Sequence, residues 1–191
     1  TPTALSVARY YLAGASVGNY ALFAGGRSSS SSYSDVVDAY DTSLTRSTPT
    51  ALSVARYYLA GASVGNYALF AGGNPGSVYY KNTVDAYNAS LTRSTPTALS
   101  VGKRSLAGAS VGNSALFAGG YEGRDWGDFY TDTVDAYTPS VVPEAEAILY
   151  MPIGTKYKFG GSEETAESNE IRVPVPLTGY IKFKNGVIRN G

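Results

Sequence analysis

A unit of 47 residues is written three times in succession, almost letter for letter, and it changes freely in only one part. Residues 1–47 open with TPTALSVARYYLAGASVGNYALFAGG, pass through a variable stretch and close with VDAYDTSLTRS. Residues 48–94 repeat the first 26 letters without a change and close with VDAYNASLTRS. The third copy, from Thr95, reads TPTALSVGKRSLAGASVGNSALFAGG, reaches VDAY at Tyr137 and then loses the pattern. A fixed period of this size marks an architecture in which no unit can bury its own faces, so each stacks on copies of itself.

Within one copy, residues 10–17 (YYLAGASV) end in Gly18-Asn19, a two-residue hairpin signal. Residues 20–24 (YALFA) form a continuous apolar run that stops at Gly25-Gly26, which suits a strand buried on both faces. Beyond the variable stretch, residues 36–40 (VVDAY) read as a third strand. Leu44 is the expected anchor of a fourth, before Thr48-Pro49 turns the chain into the next unit. Four short antiparallel strands per unit describe a propeller blade. The 17 tyrosines and 22 glycines fit β-structure with tight turns.

The run ARYYLAGASVGNYALFAGG followed by VDAYD resembles the kelch repeat, with an Arg before the first strand, a glycine pair closing the second and V-x-x-Y-D in the third. The matching residues are Arg9, Gly25, Gly26, Val37, Tyr40 and Asp41 in the first copy. In the second they are Arg56, Gly72, Gly73, Val84 and Tyr87, with Asn88 in place of Asp. The third offers Lys103, Gly119, Gly120, Val134 and Tyr137. The resemblance implies an all-β chain: three kelch-like four-stranded blades (residues 1–47, 48–94 and 95–142) that form an incomplete propeller. Kelch repeats carry a Trp six residues after the Tyr, where this chain has Arg46, Arg93 and Pro143, so Leu44, Leu91 and Val141 are expected to take over its packing. The glycine pairs are read as structural, permitting positive φ and close backbone approach. Neither a Lys-Ser/Thr nor a helix follows them, as a phosphate loop would require.

Residues 143–191 read as a small separate β-domain. Residues 144–161 hold a short apolar run and then the alternation Tyr157, Phe159; residues 162–169 are acid-rich and read as a loop. Residues 171–177 (IRVPVPL) alternate, but their prolines confine them to an edge or an irregular extended segment. Residues 180–188 suggest a hairpin around Asn185-Gly186.

Composition removes several chemistries. The chain has no His and no Cys, so Ser-His-Asp and Cys-His catalysis, disulfides and thiolate metal sites are out of reach. Galactose oxidase is a kelch-like propeller, but its copper site needs His and a Cys-modified Tyr, so that activity does not carry over. Net charge is zero with 16% charged residues, which gives nucleic acid or an anionic membrane no basic patch. No apolar run is long enough to span a bilayer, and no signal peptide is visible. The start at a repeat boundary without Met suggests a processed product or a piece of something longer. Asp38, Asp85 and Asp135 could in principle serve a carboxylate hydrolase, but their identical placement favours bonding a neighbouring backbone. Asp125, Asp128 and Asp132 lack the spacing and turn glycine of a calcium loop. Asn88-Ala89-Ser90 fits a glycosylation triplet of the kind chance often produces. No cofactor or metal is expected.

Variation is concentrated between the glycine pair and VDAY: RSSSSSYSDV, NPGSVYYKNT and the longer YEGRDWGDFYTDT. Constant strands carrying Tyr/Ser/Gly/Asp loops are what a recognition surface requires. The expected contact residues are Arg27 and Tyr33 in the first copy, Tyr79 and Tyr80 in the second, and Tyr121, Arg124, Asp125, Trp126, Phe129 and Tyr130 in the third. Aromatics that dense are costly to leave in water without a partner. In the third copy Arg104-Ser105 replaces Tyr-Tyr and Ser114 replaces Tyr20 and Tyr67, which reads as a stack that ends or meets something different there, the C-terminal domain or solvent. The expected function is a non-catalytic binding module on a cell surface or virus particle, recognising glycan or protein through these loops. The alternative is a purely structural component of a virion or extracellular assembly. Three blades are too few to close a propeller, so self-association or upstream blades are expected to complete it.

Overall fold

The structure, a computed structural model, describes residues 2–124, 127–139, 145–150, 152–154, 156–158, 163–165, 167 and 170–175. It divides into two compact units, Thr1–Pro139 and Ser140–Gly191. The described residues contain strands and no helix.

In the first unit each repeat folds into its own antiparallel sheet. The first is built from β1 (Ala13–Val17), β2 (Tyr20–Ala24), β5 (Val37–Tyr40) and β6 (Arg46–Ser47), paired in that order. Between β2 and β5 the variable stretch forms a small hairpin, β3 (Arg27–Ser29) with β4 (Ser32–Tyr33). The second sheet has the same order, with β7 (Ala60–Val64), β8 (Tyr67–Ala71), β9 (Val84–Asn88) and β10 (Arg93–Ser94). The third copy adds β11 (Lys103–Arg104), β12 (Ala107–Val111), β13 (Ser114–Ala118), β14 (Tyr121–Arg124), β15 (Gly127–Tyr130) and β16 (Val134–Tyr137). Its blade is β12-β13-β16, while β11, β14 and β15 form a separate sheet. The expected fourth strand, with Val141, lies outside the described residues. These sheets are the blades of an incomplete propeller, and they do not close on themselves.

Successive blades pack face to face through small residues. The innermost strands β1, β7 and β12 lie side by side, with Gly61 against the Gly14 carbonyl and Gly108 against the Gly61 carbonyl, where any Cβ would collide. Each blade has a trailing face, which meets the next blade, and a leading face, which meets the previous one. The first core joins the trailing residues Val17, Leu22 and Val37 to the leading residues Leu52, Phe70 and Tyr87. The second repeats it with Val64, Leu69 and Val84 against Leu99, Phe117 and the partly buried Tyr137. Burial on both faces of YALFA therefore holds for the middle blade, where Phe70 is enclosed. Phe23 of the first blade is 37% exposed, because no other described residues cover its leading face.

Backbone bonds at the two joints are equivalent. Gly26 N–H donates to Arg56 O (2.9 Å), Leu52 N–H to Asp35 O (2.8 Å) and Arg56 N–H to Ser34 O (3.1 Å). One blade on, Gly73 donates to Lys103 O (2.8 Å), Leu99 to Asn82 O (2.8 Å) and Lys103 to Lys81 O (3.2 Å). The glycine pair is thus the seam itself. Gly25 (φ 69°) and Gly72 (φ 67°) hold left-handed backbone, and a Cβ there would lie 2.7 and 2.6 Å from the Arg56 and Lys103 carbonyl oxygens.

The fourth strand differs from the expectation in one respect. Leu44 anchors nothing: it is 55% exposed and left-handed (φ 60°) in the turn that precedes β6. That turn is held by Asp41, whose Oδ1 accepts from Ser43 N–H (2.9 Å) and Thr45 N–H (2.8 Å). Asn88 makes the same pair of bonds to Ser90 (3.0 Å) and Thr92 (2.9 Å), so Asn substitutes for Asp without loss because only an acceptor is needed. Leu91 packs at the margin of the first core.

In the second unit β17 (Ala145–Tyr150) pairs with β20 (Glu170–Val175), and β18 (Lys156–Lys158) with β19 (Glu163–Thr165), both antiparallel. Pro174 sits opposite Glu146 in a two-stranded sheet, where every strand is an edge and a missing donor is tolerated. The acid-rich stretch read as a loop instead contributes β19, which pairs with β18 in a register that sets Glu163 opposite Lys158. The Asn185-Gly186 hairpin lies outside the described residues.

Candidate functional site

Antiparallel order brings the start of the first strand, the glycine pair and the variable stretch to one end of every blade. At that end each copy makes the same bridge between the residue after its Arg or Lys and the residue after its glycine pair. Tyr10 exchanges hydrogen bonds with Arg27 (3.0 and 2.9 Å), Tyr57 with Asn74 (3.1 and 2.7 Å), and Arg104 pairs with Tyr121. The constant frame therefore fixes where every variable stretch begins.

These bridges assemble two aromatic–cation clusters. The Arg27 guanidinium lies 5.5 Å from the Tyr10 ring centre, 5.9 Å from Tyr33 and 4.9 Å from Tyr57. That of Arg104 lies 5.5 Å from Tyr58, 5.1 Å from Tyr80 and 4.8 Å from Tyr121. Tyr33 stacks on Tyr57 (5.4 Å, 7° between planes), and Tyr11 lies 4.1 Å from Tyr58. Each such contact stabilises by about 0.5–2 kcal/mol, more as water is excluded. Replacement of Tyr-Tyr by Arg104-Ser105 therefore preserves an aromatic–cation cluster. The third copy exchanges the two members of the bridge, with Arg on the frame and Tyr121 on the loop, and keeps the cluster.

Strain accompanies the arrangement. Tyr11 (φ 57°), Tyr58 (φ 57°) and Ser105 (φ 54°) are left-handed without being glycine. Such backbone costs on the order of 1–3 kcal/mol per residue. The flipped residues hydrogen-bond from blade to blade, Tyr58 N–H to Tyr11 O (3.0 Å) and Ser105 N–H to Tyr58 O (2.8 Å), and present their side chains at the loop end.

The variable stretches also pack on one another. The Tyr33 ring presses on Gly76, and Gly123 lies against the Val78 carbonyl and the Tyr80 ring. Asn74 Oδ1 shapes the middle stretch by accepting from Gly76 N–H (2.6 Å) and Ser77 N–H (3.2 Å). Of the residues expected from sequence, the structure brings together Arg27, Tyr33, Tyr80 and Tyr121, with the Tyr130 ring tilted against Tyr121 at 5.0 Å. Tyr79, Phe129 and Tyr130 are exposed, Tyr130 by 84%. Arg124 ends β14; its side chain, like Asp125 and Trp126, lies outside the described residues. Sequence reasoning missed Tyr10, Tyr11, Tyr57, Tyr58 and Arg104 as members of this surface, having assigned the tyrosine pairs to the start of the first strand. The signal was present: both change in the third copy while the neighbouring AGASV does not.

The three aspartates form a second constellation, inside the frame. Asp85 is fully buried between Arg56 (2.9 Å) and Arg93 (2.9 Å), and accepts from Ser53 N–H (3.2 Å) and Ser53 Oγ (3.0 Å). Asp38 repeats this with Arg9 (2.8 Å), Arg46 (3.8 Å) and Ser6 N–H (3.2 Å). Asp135 meets Lys103 Nζ (2.9 Å) and Ser100 N–H (2.7 Å). Burial pushes Asp135 upward, but the bonds from Lys103 and Ser100 outweigh it and leave this carboxyl below the usual range. Burial lowers the Arg56 guanidinium against the pull of Asp85. Arg46 and Arg93 stand where the kelch resemblance led us to look for Trp, and they supply charge to this network rather than apolar packing. Tyr40, Tyr87 and Tyr137 tie the third strand to the start of their own copy, donating to Thr3, Thr50 and Thr97 carbonyls (2.8, 2.8 and 2.9 Å).

An open cleft of about 390 Å³ runs over the innermost strands, lined by residues such as Gly14, Ser16, Phe23, Ser63 and Ser110. Its lining contains no ionisable side chain. Among the described residues no cluster of acidic side chains could hold a metal ion, and no helix is long and apolar enough to cross a membrane.

No family model matches the chain, and no curated protein matches it. Among solved structures, one titled "Structure of YjhT" matches at 15% identity with a TM-score of 0.62, over 73% of this chain and 45% of that one. The likeness is one of fold, propeller-like, and this chain spans less than half the length of the protein it matches.

Proposed function

We propose that this chain is a non-catalytic binding module, a kelch-like propeller arc that recognises a glycan or protein of a cell surface or virus particle through the loop end of its blades. The observation that carries the reading is the continuous surface at that end, where variable stretches interlock around Arg27 and Arg104 and leave Tyr10, Tyr11, Tyr79, Phe129 and Tyr130 more than a third exposed. Tyrosine and arginine give large contact area at low entropic cost and are enriched at binding hot spots. The kelch-like assignment is supported by the recurring Arg or Lys, glycine-pair and Tyr roles in all three copies. Absence of His and Cys, together with enclosure of Asp38 and Asp85 by their partners, supports a role without catalysis.

The packing of one loop on the next, Tyr33 on Gly76 and Val78 on Gly123, favours a second reading in which the loops are spacers in a virion or extracellular assembly. Screening the intact chain on a glycan array and a surface-protein array separates the two. Saturable retention of one ligand class, reduced by Arg27→Ala or Tyr11→Ala, is expected. Retention of nothing on either array overturns the binding reading in favour of the spacer.

A further inference from the structure

We propose that the trailing face of the third blade docks on the leading face of the first blade of a second copy, so that two arcs close head to tail into one ring. The joint is one the chain already makes twice. At its trailing face Val17 and Val64 are 3% and 5% exposed and Val37 and Val84 are 1% exposed, because the next blade covers them. Their equivalents in the third blade, Val111 and Val134, are 63% and 59% exposed. The leading face shows the converse: Phe70 and Phe117 are buried, and Phe23 is not.

Both surfaces keep the letters that make the internal joints. The leading strands of the first copy are identical to those of the second, and AGASV, ALFAGG and VDAY recur unchanged in the third. The third copy departs at Arg104-Ser105, where Ser105 keeps the carbonyl that Tyr11 and Tyr58 offer the next blade, and at Ser114 on the rim, where Tyr20 packs beside Leu91 in the first joint. The bonding pattern extends without a gap. Gly120 N–H stands where Gly26 and Gly73 donate to the next blade, and would find the Arg9 carbonyl of the second copy. Thr131 and Asp132 carbonyls stand where Ser34, Asp35, Lys81 and Asn82 accept, and would receive the second copy's Arg9 and Leu5 N–H groups. A Cβ on Gly25 or Gly72 would meet a leucine of the following blade within 2.9 Å, whereas Gly119 has only Thr131 O nearby, at 3.6 Å. That space fits Leu12 of the second copy. The innermost serines run the same way: Ser16 N–H donates to Ser63 Oγ (3.0 Å) and Ser63 N–H to Ser110 Oγ (3.2 Å), leaving Ser110 positioned for Ser16 of the next arc. Three blades fall short of a ring, and a second copy joined at the same seam supplies further blades for closure.

The serine ladder gives a direct test in the full chain, which has no cysteine of its own. Ser16→Cys/Ser63→Cys is the control, since those hydroxyls lie 3.3 Å apart in one arc and should give a disulfide within one chain. In Ser16→Cys/Ser110→Cys the two thiols of one chain are separated by β7, so a disulfide must join two copies. A covalent dimer on non-reducing electrophoresis is expected, at twice the 20.0 kDa chain mass, and Val134→Arg added to the pair should abolish it. An uncrosslinked monomer while the control closes would overturn the proposal and point to another cover for the face. A ladder of higher oligomers would overturn closure by two.

Discussion

Asp85 shows how much of the frame depends on single residues. Its carboxylate is wholly enclosed and compensates Arg56 and Arg93 while holding the Ser53 backbone. Removing one member of a buried pair leaves an uncompensated charge, which costs far more than the pair itself contributes. Asp85→Asn should therefore lower unfolding free energy by about 3–5 kcal/mol, read by urea denaturation; a change under about 1 kcal/mol would show that water reaches Arg56. The phenols give a pH signature. Burial, with the Asp135 charge added, pushes Tyr137 up to about 12, and burial with Asp85 also raises Tyr87. A phenol raised in the folded state keeps its proton after the unfolded chain, near 10, has lost it. Its stabilisation is full below about pH 10 and is lost as pH rises through the folded value. Tyrosinate absorbance should then show a late cooperative step coincident with loss of the β circular-dichroism signal, whereas full ionisation with the fold intact would contradict it. The aspartates' backbone role was legible because the same letter recurred at the same place. Arg46 and Arg93 were misread as an absence, since sequence spacing does not show that a buried carboxylate on the neighbouring strand is waiting for them.

Elements followed the sequence wherever local chemistry and the repeat agreed. AGASV, YALFA and VDAY became strands because apolar runs bounded by Gly-Asn and Gly-Gly leave the backbone few alternatives. Residues 10–12 did not join β1 as read, because Tyr11 and Tyr58 turn left-handed to bond the neighbouring blade, an inter-blade demand that no local signal carries. The β14–β15 hairpin was likewise missed, since its letters vary and its contacts come from elsewhere, a tether to Lys103 and Arg104 and packing of Gly123 on Val78 and Tyr80. The glycines separate local from inter-blade strain. Gly112→Ala meets nothing within 4 Å and should cost about 1–2 kcal/mol for its left-handed backbone alone. Gly72→Ala adds collisions with Lys103 O and Leu106 and should cost about 1–3 kcal/mol more. Equal thermal shifts for the two variants would mean that the seam relaxes freely.

At the scale of the whole molecule, the repeat separates two tasks. Near-identical strands, small inner residues and a charge network inside each copy build a frame, and the variation in length, with most of the variation in chemistry, is placed at one end of it. The arc was legible from the period together with the strand-and-turn spacing inside it and the kelch resemblance. The surface was only half legible, because its cations and rings converge from different copies, as Arg27 does on Tyr57 and Arg104 on Tyr58. The third copy's stretch is the longest and most aromatic, and it begins from the same bridge as the others. The most direct measurement is a loop exchange in the full chain, replacing residues 121–133 with the second copy's residues 74–83, followed by titration with the ligand retained on the arrays. The account predicts a loss of about 2 kcal/mol or more in binding free energy, with the melting temperature held within a few degrees. Unchanged affinity would place recognition elsewhere and contradict it.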